Sequence, residues 1–504
     1  MLHMPNDTAL SPAEFADAME RHVIEGSDDW RKVIVGVQEE SRFADIYAAY
    51  AHLYTPAQLA ALGQARSTAS DEASRDKLNR LWFEAADAVA AADVVQAAQD
   101  LTNERLAWRG TFDGEEVSVN ALGAMIAAEP DFDRREALYE LLCEADEQFA
   151  ERDVDLAARS QDLRAKVFGL DGEVAIANGR MGIDVQRFSE QINDVSARTA
   201  TSYAAQAERL FPQLLGREVE RPSRAHAAYM RSLHGWDEVF TRERMVEVCN
   251  LTVKELGFDL DEIPTILPDL EDRPEKDPRA CVIPVKVPDE VYLVVRPTGG
   301  LTDYQAFLHE AGHALHFGLT SAELSFEHRA VSPDNALTEI YSYVVERITH
   351  EPLWHQRHFG LSREDAERVV AETTFIDASL FRRYGAKLAY ELEFWADPRD
   401  SRNPQRYADR LSDATLMTYP TSQYASDMDP GLYAADYLRA WRTSEQVIAW
   451  LRREHGEEWF CSPAAGEFLR ELFVQGSVPS NEDVSRQIGA SPDDFDDLVE
   501  HLSA

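Results

Sequence analysis

Five consecutive residues restrict the fold of this 504-residue chain more than any others: His309-Glu310-Ala311-Gly312-His313, within LTDYQAFLHEAGHALHFG. Two histidines four apart on a helix lie one turn apart on the same face, so both imidazoles can reach one small cation. The glutamate between them faces the same side, where it can take a proton from a metal-bound water. A catalytic zinc usually takes three protein ligands and keeps a fourth position for water. A second element must therefore fold against this helix to deliver the third ligand. The pattern predicts a motif helix over 302–317.

The next helix is announced by Ser332-Pro333 and runs through NALTEIYSYVVERIT, over 333–349. Glu339 lies one turn into it and is the expected third ligand, with Glu323 and Glu327 on the intervening loop as its rivals. Glu346 falls seven residues later on the same face, with Ser342 between them. Both are candidates to steady the ligand histidines. His316 also faces this side but stands about 10 Å along the axis from His309, too far to share an ion with it. His355 and His358 have a metal-like spacing but read as surface residues and are set aside. His328 and Tyr424 are weaker candidates still.

The pattern His309-Glu310-x-Gly312-His313-x-x-His316, followed by Glu339-x-x-Ser342-x-x-x-Glu346, resembles the thimet oligopeptidase and oligoendopeptidase family of zinc metallopeptidases, which are gluzincins. The 25 residues between His313 and Glu339 are close to that family's separation. The likeness extends to Tyr433-Ala434-Ala435-Asp436-Tyr437-Leu438-Arg439-Ala440-Trp441, which is similar to the family's tyrosine-rich segment. There, tyrosine hydroxyls contact the scissile carbonyl and stabilise the oxyanion. The resemblance implies one Zn2+ per chain held by His309, His313 and Glu339, with Glu310 as general base and Tyr433 and Tyr437 as catalytic hydroxyl donors. It also implies a zinc set deep in a channel between two helical halves, which admits short peptides and excludes folded proteins. Before the tyrosines, SQYASDMDPGL replaces the family's histidine- and glycine-rich lead-in, and the third-ligand helix lacks the family's proline. Those departures mark a divergent member.

Elsewhere the chain reads as helix. Ser11-Pro12-Ala13-Glu14 is a capping box with proline at the first helical position. LWFEAADAVAAADVVQAAQDL and the runs around 133–166, 187–209 and 241–257 continue the helical period. Between about 258 and 300 prolines cluster and the period disappears. CVIPVKV and EVYLVVRP, joined by Pro288-Asp289, predict an antiparallel hairpin over 280–297 that ends in Gly299-Gly300. Thr302-Asp303-Tyr304-Gln305 then supplies a second capping box for the motif helix. An edge strand beside such a helix can hold an extended peptide by backbone pairing. The expected fold is mainly α: a multi-helix, two-lobed metallopeptidase with a small antiparallel β element next to the motif helix. Residues 1–257 would form one channel wall, and 258–504 the catalytic region, whose tyrosine helix spans 431–450.

Charge narrows the partners. A net charge of −41 argues against nucleic acid or an anionic membrane, because the long-range field repels phosphate. No run of about 18 apolar residues occurs, so no membrane span is expected. With only seven lysines, the basic residues are mostly arginine. This fits either a salt-adapted cytoplasm or a genome that favours Arg, Ala, Asp and Glu. The N-terminus lacks a basic start followed by an apolar stretch, so no signal peptide is visible. Cys143, Cys249, Cys281 and Cys461 are scattered and read as free, mostly buried thiols of a reducing compartment.

The expected activity is thus zinc-dependent hydrolysis of short peptides in the cytoplasm, by internal cleavage. One rival is a metal-dependent carboxypeptidase or dipeptidase on the same scaffold, in which Arg382, Arg383 or Arg439 could hold a terminal carboxylate. Another is a non-catalytic helical protein that keeps zinc for structure, against which Glu310 speaks, since such a site has no use for a base. The oligomeric state is left open.

Overall fold

The computed structural model describes residues 9–273, 275–277 and 279–504. The N-terminal residues 1–8, on which the signal-peptide reading rests, and Pro274 and Pro278 of the proline cluster lie outside the described residues. The chain is mainly helical. Helix α1 (Pro12–Ile34) begins with the expected capping box: the Glu14 amide donates to Ser11 Oγ, and the Ser11 amide donates to the Glu14 carboxylate at 2.9 Å. Such a cap stabilises a helix by about 1 kcal/mol.

The Ala-rich run that reads as one helix is two, α2 (Glu72–Ala91) and α3 (Val95–Ala107), parted by a turn. A short antiparallel hairpin follows, β1 (Arg109–Phe112) and β2 (Glu115–Ser118), which helical periodicity had hidden. Helix α4 (Phe132–Phe168) is the longest and starts at Asp131, whose carboxylate accepts the Arg134 amide. The run around 187–209 is again split, into α5 (Val185–Arg198) and α6 (Ala200–Leu215). Helix α7 (Arg242–Glu255) leads into the proline-rich stretch.

That stretch forms a three-stranded sheet of β3 (Ile266–Asp269), β4 (Cys281–Lys286) and β5 (Glu290–Val294), in the order β3-β5-β4. The predicted hairpin is present, with Cys281 opposite Val294 and Ile283 opposite Tyr292. The extra strand β3 runs parallel to β5, so the sheet is mixed. Pro284 is tolerated because β4 is an edge strand. Ile34 and Val35 at the end of α1 pack on Ile283, Val285 and Val294, covering one face of the sheet. The buried Lys276 ammonium donates to the carbonyls of Asp269, Glu271 and Val295 and to the Asp269 carboxylate, joining the ends of β3 and β5.

Five further helices complete the frame: α8 (Leu301–Leu319), α9 (Ala336–Glu346), α10 (Arg363–Ala396), α11 (Ala434–His455) and α12 (Asp496–Ser503). The largest hydrophobic core runs from Val154 to Leu502 and takes residues from α8, α9, α10 and α11. Helix α9 lies at its centre, with nine of its eleven residues buried.

Arg80 of α2 links distant parts of the chain. Its buried guanidinium donates to the Val331 carbonyl at 2.7 Å, to Ser477 Oγ at 2.9 Å and to the Ser477 carbonyl at 2.8 Å. Replacing it leaves those acceptors desolvated and unpaired. Arg80→Met is expected to lower stability by about 3–5 kcal/mol, read as a fall in the urea midpoint of unfolding.

Candidate metal centre

Helix α8 emerges from Gly299-Gly300 without the expected capping box. Gly300 stands at its N-cap, and Asp303 turns back to accept the amides of Thr298 and Gly299 at 2.6 and 2.9 Å. Thr302 instead donates its hydroxyl to the Arg231 carbonyl. The left-handed φ of both glycines, +96° and +86°, makes this sharp entry possible. It aims α8 between the sheet and α9.

His309 and His313 lie one turn apart with ring centroids at 4.9 Å. His309 Nδ1 is 2.7 Å from Glu346 Oε2, and His313 Nδ1 is 2.8 Å from Thr338 Oγ1. An acceptor at Nδ1 holds the proton there and leaves the Nε2 lone pair free for a metal. Both Nε2 atoms point toward Glu339 Oε2, at 3.4 and 3.8 Å. The ligand atoms of His309, His313 and Glu339 all lie within 4.8 Å of one another. Two imidazole nitrogens and one carboxylate oxygen on three side chains form a group that could hold a divalent metal ion, a donor set of the kind zinc takes.

What brings Glu339 within reach is the glycine between the histidines. A Cβ at Gly312 would lie 2.6 Å from both Ser342 Cα and the Tyr341 carbonyl oxygen, so α8 and α9 touch backbone to backbone there. Glu339 is one turn before Ser342 and is 5 % exposed. Its carboxylate accepts from Ser342 Oγ and from the Tyr433 hydroxyl, each at 3.3 Å. Burial alone would raise its pKa, but the hydrogen bond with His309 and the charge of that residue, with a further hydrogen bond from Ser342, hold it below the ordinary value. Burial pushes His313 down to about 3, which keeps it neutral and able to coordinate. For His309 burial is outweighed by Glu339 and Glu346, which raise its proton affinity well above normal; the same two carboxylates favour any cation placed there.

Glu310 is set beside this group, against the sheet. Burial pushes its pKa up to about 7; the charge of His309 and a hydrogen bond from the Val282 amide of β4 oppose the rise. A carboxylate so poised can exchange protons near neutrality.

On the opposite side stand Tyr433, at the N-cap of α11, and Tyr437, with ring centroids 4.7 Å apart. The hydroxyl of Tyr433 donates its proton to Glu339, and the ring of Tyr437 packs edge-on beside it. Burial raises both phenol pKa values, so both remain protonated donors.

The other candidates fall outside the group. His316 is buried, with Nε2 against the Gly476 carbonyl at 3.1 Å and Nδ1 facing Thr338, a structural arrangement. Glu323 and Glu327 do not join the donor set. Ser342 contacts Glu339 and not a histidine, whereas Glu346 does hold His309. His328 pairs with Asp76, and Tyr424 is tied through its carbonyl to Tyr390. His355 is buried and His358 partly so, rather than superficial, because they line the helix around Trp354 and Phe359. The thiols are also less buried than expected, since only Cys249 is fully enclosed. Two residues at the site carried no sequence mark: Thr338, and Tyr343, whose ring stacks edge-on to His309 at 5.2 Å.

A second group, His350, Asp377 and His501, also has metal-like proximity. Arg347 already occupies it, donating to Asp377 Oδ2 at 2.9 Å and standing 2.6 Å from His501 Nε2. It reads as an ion network that fastens α12 to the turn after α9.

Among solved structures, the chain superposes on PZ peptidase A with a TM-score of 0.66 at 14% identity, over 97% of this chain and 96% of that one. It matches a Pyrococcus furiosus carboxypeptidase with a TM-score of 0.63 at 14% identity, over 100% and 98%. A Bacillus anthracis chain assigned as an oligoendopeptidase F gives 0.64 at 16% identity, over 96% and 88%. At these identities the likeness establishes the fold, a mainly helical scaffold with small sheets that those metallopeptidases share. Neither a family model nor a curated protein matches the sequence. No helix among the described residues is long and apolar enough to cross a membrane.

Two substitutions probe the construction. Glu346→Gln is expected to weaken zinc binding about 10- to 100-fold in a chelator competition titration, because His309 loses its orienting carboxylate. Gly312→Ala forces a methyl group into the α8–α9 contact and is expected to lower thermal stability by about 1–3 kcal/mol.

Proposed function

We propose that this chain is a zinc-dependent peptidase acting on short peptides, with His309, His313 and Glu339 as the metal ligands and Glu310 as the general base. The observation that carries this reading is the placement of Glu310: a half-buried carboxylate whose pKa is pushed up to about 7, beside a three-donor metal set. A structural metal site has no use for such a group. The fold shared with peptidases of known structure supports the same class of chemistry.

A zinc ion bound here supplies Lewis acidity and lowers the pKa of water in its open position. Glu310 accepts the proton of the attacking water and delivers it to the leaving nitrogen of the peptide. Tyr437 donates its hydroxyl to the carbonyl oxygen as negative charge develops on it, while Tyr433 steadies Glu339. Glu346 and Thr338 hold the imidazoles in the tautomer that ligation needs. The edge strand β4, adjacent to Glu310, offers backbone groups along which an extended peptide can align. The helices before residue 257 and those after it would form the two walls of a channel that restricts entry to short chains. The acidic surface and the free cysteines are consistent with a protein of the cytoplasm that binds neither nucleic acid nor membrane.

Mass spectrometry of short peptides incubated with the zinc-loaded protein tests the reading. Hydrolysis is expected to stop with a chelator and to return with zinc. In Glu310→Gln, kcat should fall about a hundred- to ten-thousandfold while zinc stays bound. Turnover at the wild-type rate in that variant would exclude Glu310 as the base. Tyr437→Phe is expected to reduce kcat about a hundredfold or more with little change in KM.

A further inference from the structure

The arginines named from sequence as carboxylate anchors all have partners within the protein. Arg382 donates to the Ser196 carbonyl and Thr199, and Arg439 to Glu482 and Asp334. Arg383 meets Asp427, and this pair belongs to a cluster of charges that ties one face of α10 to the segment preceding Tyr433. Lys387 Nζ stands 2.6 Å from Asp429 Oδ2 and 3.6 Å from Asp427 Oδ1. Tyr407 donates its hydroxyl to Asp427 Oδ2 at 2.7 Å. Glu391, one turn beyond Lys387 on the same helical face, is fully buried, and its Oε1 accepts the Asp429 amide at 2.9 Å. Glu391 Oε2 is enclosed and has no hydrogen-bond partner among the described residues.

Two cations, Arg383 and Lys387, here answer two anions, Asp427 and Asp429. Glu391 is a third carboxyl in the same enclosure, and Lys387, 3.9 Å from it, is already committed to Asp429. A buried carboxyl without a cation of its own favours the neutral acid. Burial pushes its pKa up to about 8; Lys387 and the Asp429 amide oppose the rise, while the charges of Asp429 and Asp427 add to it. The helix Gly172–Met181, which also packs on the segment, spends its charges elsewhere. Its Glu173 meets Arg164, and its Arg180 meets Asp87 and Glu84.

The fastened segment leads directly into the two tyrosines. Gly431 and Leu432 have left-handed φ values of +70° and +60°, and Leu432 is fully buried. A leucine takes that conformation against steric repulsion, so contacts on either side must impose it. On one side are Lys387 and Glu391, and on the other the Tyr433 hydroxyl donates to Glu339 at 3.3 Å. Tyr384, one turn before Lys387 on α10, packs its ring 5.3 Å from that of Tyr437. Beside the segment lies a cleft of about 520 Å³, bordered by Met428, Asp429 and Gly431 and by Arg105, Leu156 and Trp395. That space gives the segment room to leave α10 once its fastening loosens.

We propose that Lys387 and Glu391 are positioning residues: they latch residues 427–432 onto α10, set Tyr433 and Tyr437 beside the metal centre, and release the segment when Glu391 ionises. The effect on turnover rests on the peptidase reading, whereas the latch itself does not. Both aspartates lie in SQYASDMDPGL, the stretch where this chain departs from the family it resembles, so the latch is a property of this chain. Closing the latch moves Glu391 from the ordinary carboxylate range to a pKa of about 8 and so takes up a proton. The closed state is therefore fully favoured in acid and loses ground as pH rises through that value.

Hydrogen–deuterium exchange of the zinc-loaded protein tests the latch without substrate. Protection of fragments covering 427–433, corrected for base-catalysed exchange, is expected to fall about tenfold from about pH 7 to 9 as Glu391 loses its proton. In Glu391→Gln, which keeps an acceptor and cannot ionise, protection should hold constant over that range. Lys387→Met is expected to lose protection at every pH, and Lys387→Arg to recover part of it. Protection in the wild type that does not change with pH, or that changes equally in Glu391→Gln, overturns the proposal. The wild-type series decides this even where a substitution prevents folding. Turnover is read separately: the ratio of kcat in Glu391→Gln to kcat in the wild type is expected to rise about tenfold from about pH 7 to 9. A flat ratio with changing protection overturns the positioning of the tyrosines. Absence of hydrolysis by both proteins at every pH removes the peptidase reading and leaves the latch to the exchange result.

Discussion

The centre of this molecule depends on how closely two helices approach at one point. Helix α8 carries two imidazoles and a glutamate, and they make no metal-like group until α9 lies near enough for a second glutamate to close the triangle. An ordinary pair of helices packs at about 8–10 Å between axes, with side chains filling the gap. At Gly312 there is no side chain, and the backbone of α9 fills the space directly. The residues of α9 that face α8 then divide the work. Glu339 points at the Nε2 atoms, while Thr338 and Glu346 take up the Nδ1 atoms. The small residue thus controls both the donor set and the tautomers of its imidazoles.

The electrostatics follow from that contact. Three glutamates converge on two histidines in a space shielded from bulk water, which is unfavourable unless positive charge is present. The carboxylates meet it differently: Glu339 is held anionic by His309, whereas Glu310, resting on the sheet, is driven toward the neutral acid. Similar side chains acquire separate roles from their surroundings. The sheet contributes through position, since the Val282 amide of an edge strand reaches the Glu310 carboxylate, and the sheet itself is braced by Lys276 and covered by α1.

How much of this could be read from the sequence depends on the kind of signal. His309, Glu310, His313, Glu339 and Glu346 lie on helices at spacings that put their side chains on one face, so local periodicity exposes them. The hairpin of β4 and β5 was legible for the same reason, from β-branched alternation bounded by turn residues. Strand β3 was not, because four residues containing a proline carry little alternation, and its parallel pairing with β5 is a tertiary matter. The capping box at Thr302 failed because the helix already starts at Leu301 with Gly300 at its N-cap, and the Thr302 hydroxyl donates to the Arg231 carbonyl instead. Thr338 and Tyr343 acquire their meaning only from what lies across from them, and no spacing rule marks such residues. His355 and His358 looked superficial among polar neighbours, yet the aromatic side chains interleaved with them pull that short helix into the core.

Sequence separation gives the Arg80 contacts and the helix pair different places in folding. The interactions that organise the donor set span short stretches of chain, 25 residues from His313 to Thr338 and 37 from His309 to Glu346. Closing loops of that size costs little entropy. Arg80, by contrast, joins residues 251 and 397 positions away, contacts whose closure comes late when topology governs the order of events. The helix pair that carries the candidate ligands can therefore form while the rest of the chain is still open. A metal held there, as proposed above, would be enclosed once Arg80 draws the first part of the chain onto the last, and its exchange with the medium would then be as slow as the reopening of that contact.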